Sequence, residues 1–178
     1  MKRSWILSLT LAVATLGLSG CGSTSNKSDI DLTSKFRVTE ISVDVTQYHE
    51  PELEYHSKEE LSQMVSSLIK TKLAEKGLLS DKPEMDAIAI NVDYYRRFVG
   101  DATPIPSDSL APPKFDYDVQ LSGNEKPVTL IDQKKLTYNG GFAFNLQVLS
   151  GTIRDKSAEN DFAEAIANHI VEDIEKLN

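Results

Sequence analysis

Apolar and polar residues alternate in several stretches of the chain, and this period of two is typical of strands that bury one face. Four such stretches cover residues 36–45, 88–94, 115–121 and 128–131. In the first stretch Phe36 and Val38 are out of phase with the later apolar residues, which indicates a bulge. The fourth can continue to Tyr138. The alternation therefore predicts at least four strands.

A fifth alternation follows Asn139-Gly140-Gly141, a combination typical of a hairpin turn. Its apolar members are Phe142, Phe144, Leu146 and Val148. We therefore expect a strand at 142–148 that pairs with the strand before it.

Two other stretches have helical spacing. In the first, over residues 57–76, Ser57 and Glu60 form a capping-box pattern and Gly77 can cap the C-terminal end. The second begins at Ser157, a candidate N-cap, and runs to the end of the chain. Its apolar stripe consists of Phe162, Ile166, Ile170, Ile174 and Leu177.

This order of elements predicts an α+β fold, with a mostly antiparallel sheet of four or five strands and two amphipathic helices packed on one face. Residues 36–178 are enough for a single domain with one core. Residues 99–113 contain four of the seven prolines. Because proline cannot donate to a strand ladder, this segment is predicted to be a long ordered loop.

The first 20 residues have a different character. Lys2 and Arg3 precede an apolar stretch from Trp5 to Leu18, which is too short to span a bilayer core of ~30 Å comfortably. This arrangement is typical of a secretory signal peptide. The stretch ends in Leu18-Ser19-Gly20-Cys21.

That tetrapeptide resembles the lipobox of bacterial lipoproteins. The resemblance implies that residues 1–20 are removed and that Cys21, the only cysteine of the chain, becomes an N-terminus carrying a diacylglycerol and a fatty acid such as palmitate. No other cofactor is implied. Residues 21–35 are small and polar and indicate a flexible tether. Gly22 stands where an Asp would favour the inner membrane, which implies the outer membrane with the domain facing the periplasm.

The net charge of −8 argues against some partners. Without Lys2 and Arg3 the side chains comprise 17 basic and 27 acidic groups, a net charge of −10. Such a surface repels phosphate backbones, so nucleic acid is excluded as an expected partner. The membrane is expected to be reached through the lipid.

Motifs of common catalytic sites are missing from the sequence, including the serine, P-loop and metal-binding patterns. A polar cluster consists of His49, Glu50, Glu52, Glu54, Tyr55 and His56. Its spacing matches no metal-ligand pattern, so we expect a solvated loop, with a metal site as the alternative. Asp116 and Asp118 are expected on the solvent face of a strand, and His169 is expected to pack at the edge of the last helix's apolar stripe.

Tyr95, Arg96, Arg97 and Phe98 combine the residue types that are enriched at protein interfaces. With Pro104 and Pro106 of the following loop they form the predicted partner-binding site. The alternative is a strand end in which the arginines balance neighbouring acids. We therefore predict a non-enzymatic accessory lipoprotein that binds an envelope protein, and the other possibility is a small cell-wall enzyme or ligand-binding lipoprotein with an unrecognised site.

The order of elements is also similar to that of small periplasmic lipoproteins, among them the activators of penicillin-binding proteins and the curli-secretion lipoproteins. It implies the same α+β class. Because this similarity rests on order and not on a motif, it implies no role for any single residue.

Labelled palmitate is expected to enter the wild-type protein and not Cys21→Ser, because the thiol is the acylated group. Inhibition of lipoprotein signal peptidase should leave a longer precursor that is visible on a gel. Label retained by the serine variant would contradict lipidation at Cys21.

Overall fold

The computed structural model describes residues 30–122 and 127–178. Cys21, the predicted leader and most of the predicted tether lie outside the described residues. The elements, in chain order, are β1 (Phe36–Thr46), α1 (Lys58–Glu75), β2 (Asp86–Phe98), β3 (Leu110–Ser122), β4 (Val128–Thr137), α2 (Gly141–Ser150) and α3 (Ser157–Glu175).

The strands form one four-stranded sheet in the order β1-β2-β3-β4. β1 and β2 are parallel, and α1 supplies the crossover that parallel neighbours need. The other two pairs are antiparallel. The predicted α+β class with a mostly antiparallel sheet is therefore confirmed, and the parallel first pair makes the sheet mixed.

The core lies between one face of the sheet and the helices α1 and α3. β2 contributes Ile88, Ile90, Val92 and Tyr94, and β3 contributes Phe115, Tyr117, Val119 and Leu121. The helices contribute Leu61, Val65, Ile69, Leu73, Ile166, Ile170 and Ile174. Both periods that were found in the sequence, two for strands and 3.6 for helices, thus point their apolar side chains into one layer.

The N-terminal ends of the two long helices, α1 and α3, are capped in different ways. At α1 the predicted capping box is present: the Ser57 hydroxyl accepts the Glu60 N–H, and the Glu60 carboxylate accepts the Ser57 N–H. Ser57 was correctly predicted, whereas Ser157 is the first residue of α3 and not its N-cap. Asp155 accepts the N–H of Ser157 at 2.7 Å, so the acid two residues earlier satisfies that donor instead.

The predicted strand at 142–148 is wrong, because these residues lie in the helix α2. Phe144 and Val148 are four residues apart, so they share one helical face and pack against a small second cluster. The ring of Phe144 meets the rings of Tyr138 and Phe162 at centroid distances of 5.1 and 5.5 Å. The apolar residues between 142 and 148 are compatible with the period of two of a strand and with the 3.6-residue period of a helix. Packing of Phe144 against the rings of Tyr138 and Phe162 favours the helix.

The loop after β2 is shorter than the sequence predicted. β2 extends to Phe98 and β3 begins at Leu110, so Pro112 and Pro113 belong to a strand. They lie where the pairing shifts, since Tyr95 is opposite Lys114 and Arg97 is opposite Ala111. A bulge is a place where prolines are tolerated in a sheet, because fewer donors are needed there.

A buried ion pair connects this end of the sheet to α3. Arg96 is 4% exposed and Glu159, in the first turn of α3, is 0% exposed. The Arg96 guanidinium donates to Glu159 Oε1 at 2.7 Å, to Gln47 Oε1 at 2.7 Å and to the His56 carbonyl at 2.6 Å. Glu159 Oε2 also accepts the His56 N–H at 2.9 Å. The two charges are therefore enclosed in a network that joins β2, the β1–α1 connector and α3.

Arg96→Ala and Glu159→Ala are each expected to lower the free energy of unfolding by about 3–5 kcal/mol, because each leaves the other charge buried without its partner. The double variant should lose much less than the sum of the single losses. Urea unfolding of the four proteins measures this coupling.

The matched control is the Lys72–Glu164 pair, which joins α1 to α3 at 3.2 Å and has an exposed carboxylate. Its alanine cycle should show a coupling of about 1 kcal/mol or less. An equally small coupling for Arg96 and Glu159 would contradict the structural role of that pair.

Candidate functional site

A cleft of about 1020 Å³ lies at the end of the sheet where β2 stops and β3 begins. Tyr95 and Arg97 point into it, because they alternate along β2 with the buried Tyr94 and Arg96. The cleft is lined by Tyr48, Tyr95, Arg97, Phe98, Val99, Gly100, Asp101, Ala102, Ala111, Pro112, Lys114, Asp116, Lys135, Thr137 and Val148. It is therefore built from the first part of the 99–109 loop, from the strands β2, β3 and β4, from the β1–α1 connector and from α2.

A β-bulge in β4 brings Lys135 to the cleft. Phe115 pairs with Leu136 and Tyr117 with Gln133, so Lys134 and Lys135 together lie opposite Asp116. Lys135 has φ of 60°, the left-handed region that costs a residue with a side chain ~1–2 kcal/mol. The Asp116 carboxylate holds this conformation by accepting the Lys135 N–H at 2.5 Å. Backbone strain of this kind is concentrated at binding and catalytic sites.

The basic side chains that line the cleft do not form ion pairs with its carboxylates. Its two carboxylates accept backbone N–H groups, Asp116 from Lys135 and Asp101 from Phe98 at 2.9 Å. Within the described ranges 30–122 and 127–178, the cations Arg97, Lys114 and Lys135 form no ion pair. The cleft therefore offers cationic donors beside the rings of Tyr48 and Tyr95. Burial, followed by the charges of Asp93 and Asp116, raises the pKa of Tyr95 and keeps its hydroxyl a donor.

The structure divides the predicted partner-binding residues by burial. Arg96 is enclosed between β2 and α3, and Phe98 borders the cleft but is buried in the second cluster, so neither presents a free side chain to a partner. Tyr95 and Arg97 are half-buried and line the cleft. Pro104 is exposed and Pro106 is half-buried in the loop beyond the cleft wall. The segment is thus both a strand end with a structural arginine and one wall of a cleft.

Asp108 fastens the 99–109 loop to the β1–α1 connector. Its carboxylate lies 2.7 Å from His49 Nε2 and accepts the Glu52 N–H at 3.1 Å, while its carbonyl accepts the Tyr55 hydroxyl. The hydrogen bond from His49 lowers the pKa of Asp108, although burial acts in the opposite direction. Burial, with Asp108 nearby, raises the pKa of Tyr55 to about 12. The loop is therefore held in place, as the sequence predicted for an ordered loop.

The polar cluster at residues 49–56 is spread over separate contacts. His49 binds Asp108, Glu54 pairs with Lys156 at 2.8 Å, and His56 Nε2 lies 3.1 Å from the side chain of Asn160. Across residues 30–122 and 127–178 no three carboxylate, imidazole or thiol groups are grouped so that they could hold a metal ion. His49 and Asp108 have the geometry of a base and its orienting acid, but no described hydroxyl is hydrogen-bonded to His49.

Three other residues for which the sequence predicted an environment are His169, Asp118 and Asp116. His169 packs edge-on against Phe115 and Tyr117, at centroid distances of 5.9 and 6.0 Å, as was expected for a boundary residue. Asp118 lies on the sheet face away from the helices and accepts from Asn91 at 3.0 Å. Asp116 lies on the same face, where it supports the bulge.

Sequence reasoning missed Tyr48, Asp101, Lys114 and Lys135. The first three carry no local signal, since exposed residues of these types are common. Lys135 had one: Ile131 and Leu136 are both apolar but lie five residues apart, so they are out of phase with strict alternation, as a bulge between them would require. The identity of a bulge residue with positive φ is otherwise visible only in the structure.

Fold and site together define an α+β domain with a cationic, tyrosine-bearing cleft at one end of a four-stranded sheet. No family model matches the chain, and no curated protein matches it. No helix in the described part of the chain is long and apolar enough to cross a membrane.

Two solved structures have a distant likeness to the chain. An uncharacterized protein is 14% identical, with 79% of this chain and 94% of that chain covered and a TM-score of 0.34. Rare lipoprotein B from Shewanella oneidensis is also 14% identical, with 75% and 98% covered and a TM-score of 0.19. One distant neighbour is thus a lipoprotein, but at these TM-scores the likeness carries no argument about function.

Lys135→Gly is expected to raise the free energy of unfolding by about 1 kcal/mol, because glycine adopts positive φ without steric cost. Lys134→Gly is the matched control, since it removes an adjacent lysine outside the positive-φ region and should lower stability by about 0.5–1 kcal/mol. Thermal or urea unfolding measures both. Equal losses for the two variants would show that Lys135 is not strained.

Proposed function

We propose that the chain is a lipid-anchored lipoprotein on the periplasmic side of the outer membrane, and that its domain is a non-enzymatic binding or assembly factor for another envelope component. The anchor part of the proposal is supported by the lipobox ending at Cys21 and by Gly22. The binding part is supported by the cleft at the end of β2.

The observation that carries the binding role is the set of cations without carboxylate partners in a chain that is otherwise acidic. Arg97, Lys114 and Lys135 surround one cleft, although the net charge of the whole chain is −8. Arginine and tyrosine are among the residue types that contribute most when a binding surface is covered, and Arg97, Tyr48 and Tyr95 supply both here. They lie on strands and a tight bulge, so little order is lost on binding.

The cleft can be probed in intact cells with a photo-crosslinking amino acid at Tyr48, which is 89% exposed at its rim. The expected result is a discrete adduct that is absent when the same probe replaces Lys70, an exposed residue of α1. Arg97→Glu should abolish the adduct, because it reverses one cation of the cleft. Lys70→Glu, with the same change of charge, should leave the adduct intact.

Equal adducts from both probe positions, or an adduct that Arg97→Glu does not reduce, would contradict binding in the cleft. The enzyme alternative makes a different prediction. If His49→Ala fails to restore the wild-type phenotype to a deletion strain while Arg97→Glu restores it, the pair of His49 and Asp108 becomes the candidate for chemistry.

A further inference from the structure

The helix α2 exposes large apolar side chains that no other part of the described chain covers. Phe142 is 79% exposed, Leu149 is 82% exposed and Leu146 is 49% exposed. The opposite face of α2 already packs Phe144 and Val148 against the domain. The three exposed side chains together offer roughly 400 Å² of apolar surface, which matches the largest apolar patch of a typical monomeric protein, a patch that is often functional.

The charge pattern indicates what kind of surface can cover this face. The chain contains no charged residue from Tyr138 to Ile153, although charged residues make up 26% of the sequence. A charged partner is usually recognised by groups of the opposite charge, and this face of α2 carries no charged group. Two copies of an acidic domain repel each other over most of their surfaces, and α2 is the place where they can approach without that repulsion.

The spacing of the exposed residues fits a second copy in particular. Leu146 follows Phe142 by four residues and precedes Leu149 by three, so the stripe is nearly symmetric about Leu146. A twofold interface requires such self-complementarity, because each contact occurs twice. We propose that α2 binds α2 of a second copy in antiparallel orientation. Leu146 meets its own equivalent at the axis, and Phe142 of each copy meets Leu149 of the other.

The position of α2 argues against a lipid surface as the occupant. The chain enters the sheet at Phe36, which pairs with Asp86, whereas α2 lies beside the opposite end of β2. The 13 residues of β2 separate the two ends by about 40 Å at ~3.3 Å per residue. The nine residues from Cys21 to the start of the described chain span at most ~30 Å. An anchored domain therefore reaches the bilayer with α2 only by lying flat.

The contact area sets the strength of the dimer. Two copies would bury roughly 800 Å² of apolar side-chain surface, which is less than the ~1,200 Å² of a standard stable interface. The dimer is therefore weak in dilute solution. Confinement to a membrane raises the effective concentration, and this part of the argument rests on the proposed lipid anchor. The α2 contact itself does not depend on the anchor or on the cleft.

A cysteine at the predicted axis tests the proposal in intact cells that express the full chain. Leu146→Cys places two thiols next to each other in the dimer, so mild oxidation should yield a disulfide-linked species of twice the monomer mass. Phe142→Glu added to Leu146→Cys should abolish this species, because at each end of the contact it places a charge without a partner against Leu149 of the other copy. Arg97→Glu should leave it unchanged, which separates this test from that of the cleft.

The matched controls are Lys70→Cys, on the exposed face of α1, and the wild type, which measures any cross-link through Cys21. A dimer yield for Leu146→Cys no higher than for these controls overturns the proposal. In that case, binding of the purified protein to phosphatidylglycerol vesicles that Phe142→Glu abolishes would assign the α2 face to a lipid surface instead.

Discussion

The buried pair of Arg96 and Glu159 is the interaction on which the arrangement of the domain depends. Two charges are removed from water, and the hydrogen bonds of the pair join three segments: β2, the first turn of α3, and the β1–α1 connector, which takes part through both Gln47 and His56. The positive end of the α3 dipole favours the carboxylate at that turn. Because an unmatched buried charge is costly, the three segments are fixed together in one arrangement.

The hydrogen-bond network around Arg96 and Glu159 also holds the walls of the cleft in place. The connector that Arg96 holds through Gln47 and His56 also carries His49, whose ring bonds Asp108 of the 99–109 loop. The loop in turn forms one wall of the cleft. Successive residues of β2 point to opposite faces, so Arg96 stabilises the helix side while Arg97 lines the cleft. Two adjacent arginines thus have separate tasks, and substituting both at once would confuse folding with binding.

The two candidate surfaces differ in their physical character. The cleft gathers cations without carboxylate partners in an acidic chain and suits a partner that brings negative charge. The exposed face of α2 has no charge and suits an apolar, self-complementary contact. Val148 belongs to α2 and also lines the cleft, so the two surfaces are neighbours at one end of the sheet. A dimer formed through α2 would place two clefts close together.

The sequence by itself determined the elements whose apolar residues follow one period over a long stretch. The capping box of α1, the strand β3 and the apolar stripe of α3 are examples, since each depends on local chemistry and one buried face. Only the tertiary structure decided α2, because Phe144 and Val148 fit both the strand and the helix period and the rings of Tyr138 and Phe162 select the helix. It also decided that Arg96 is buried while Arg97 is not, and that Lys135 enters the cleft through a bulge. These outcomes depend on partners that are distant in the chain, such as Glu159 and Asp116, and no local pattern contains that information.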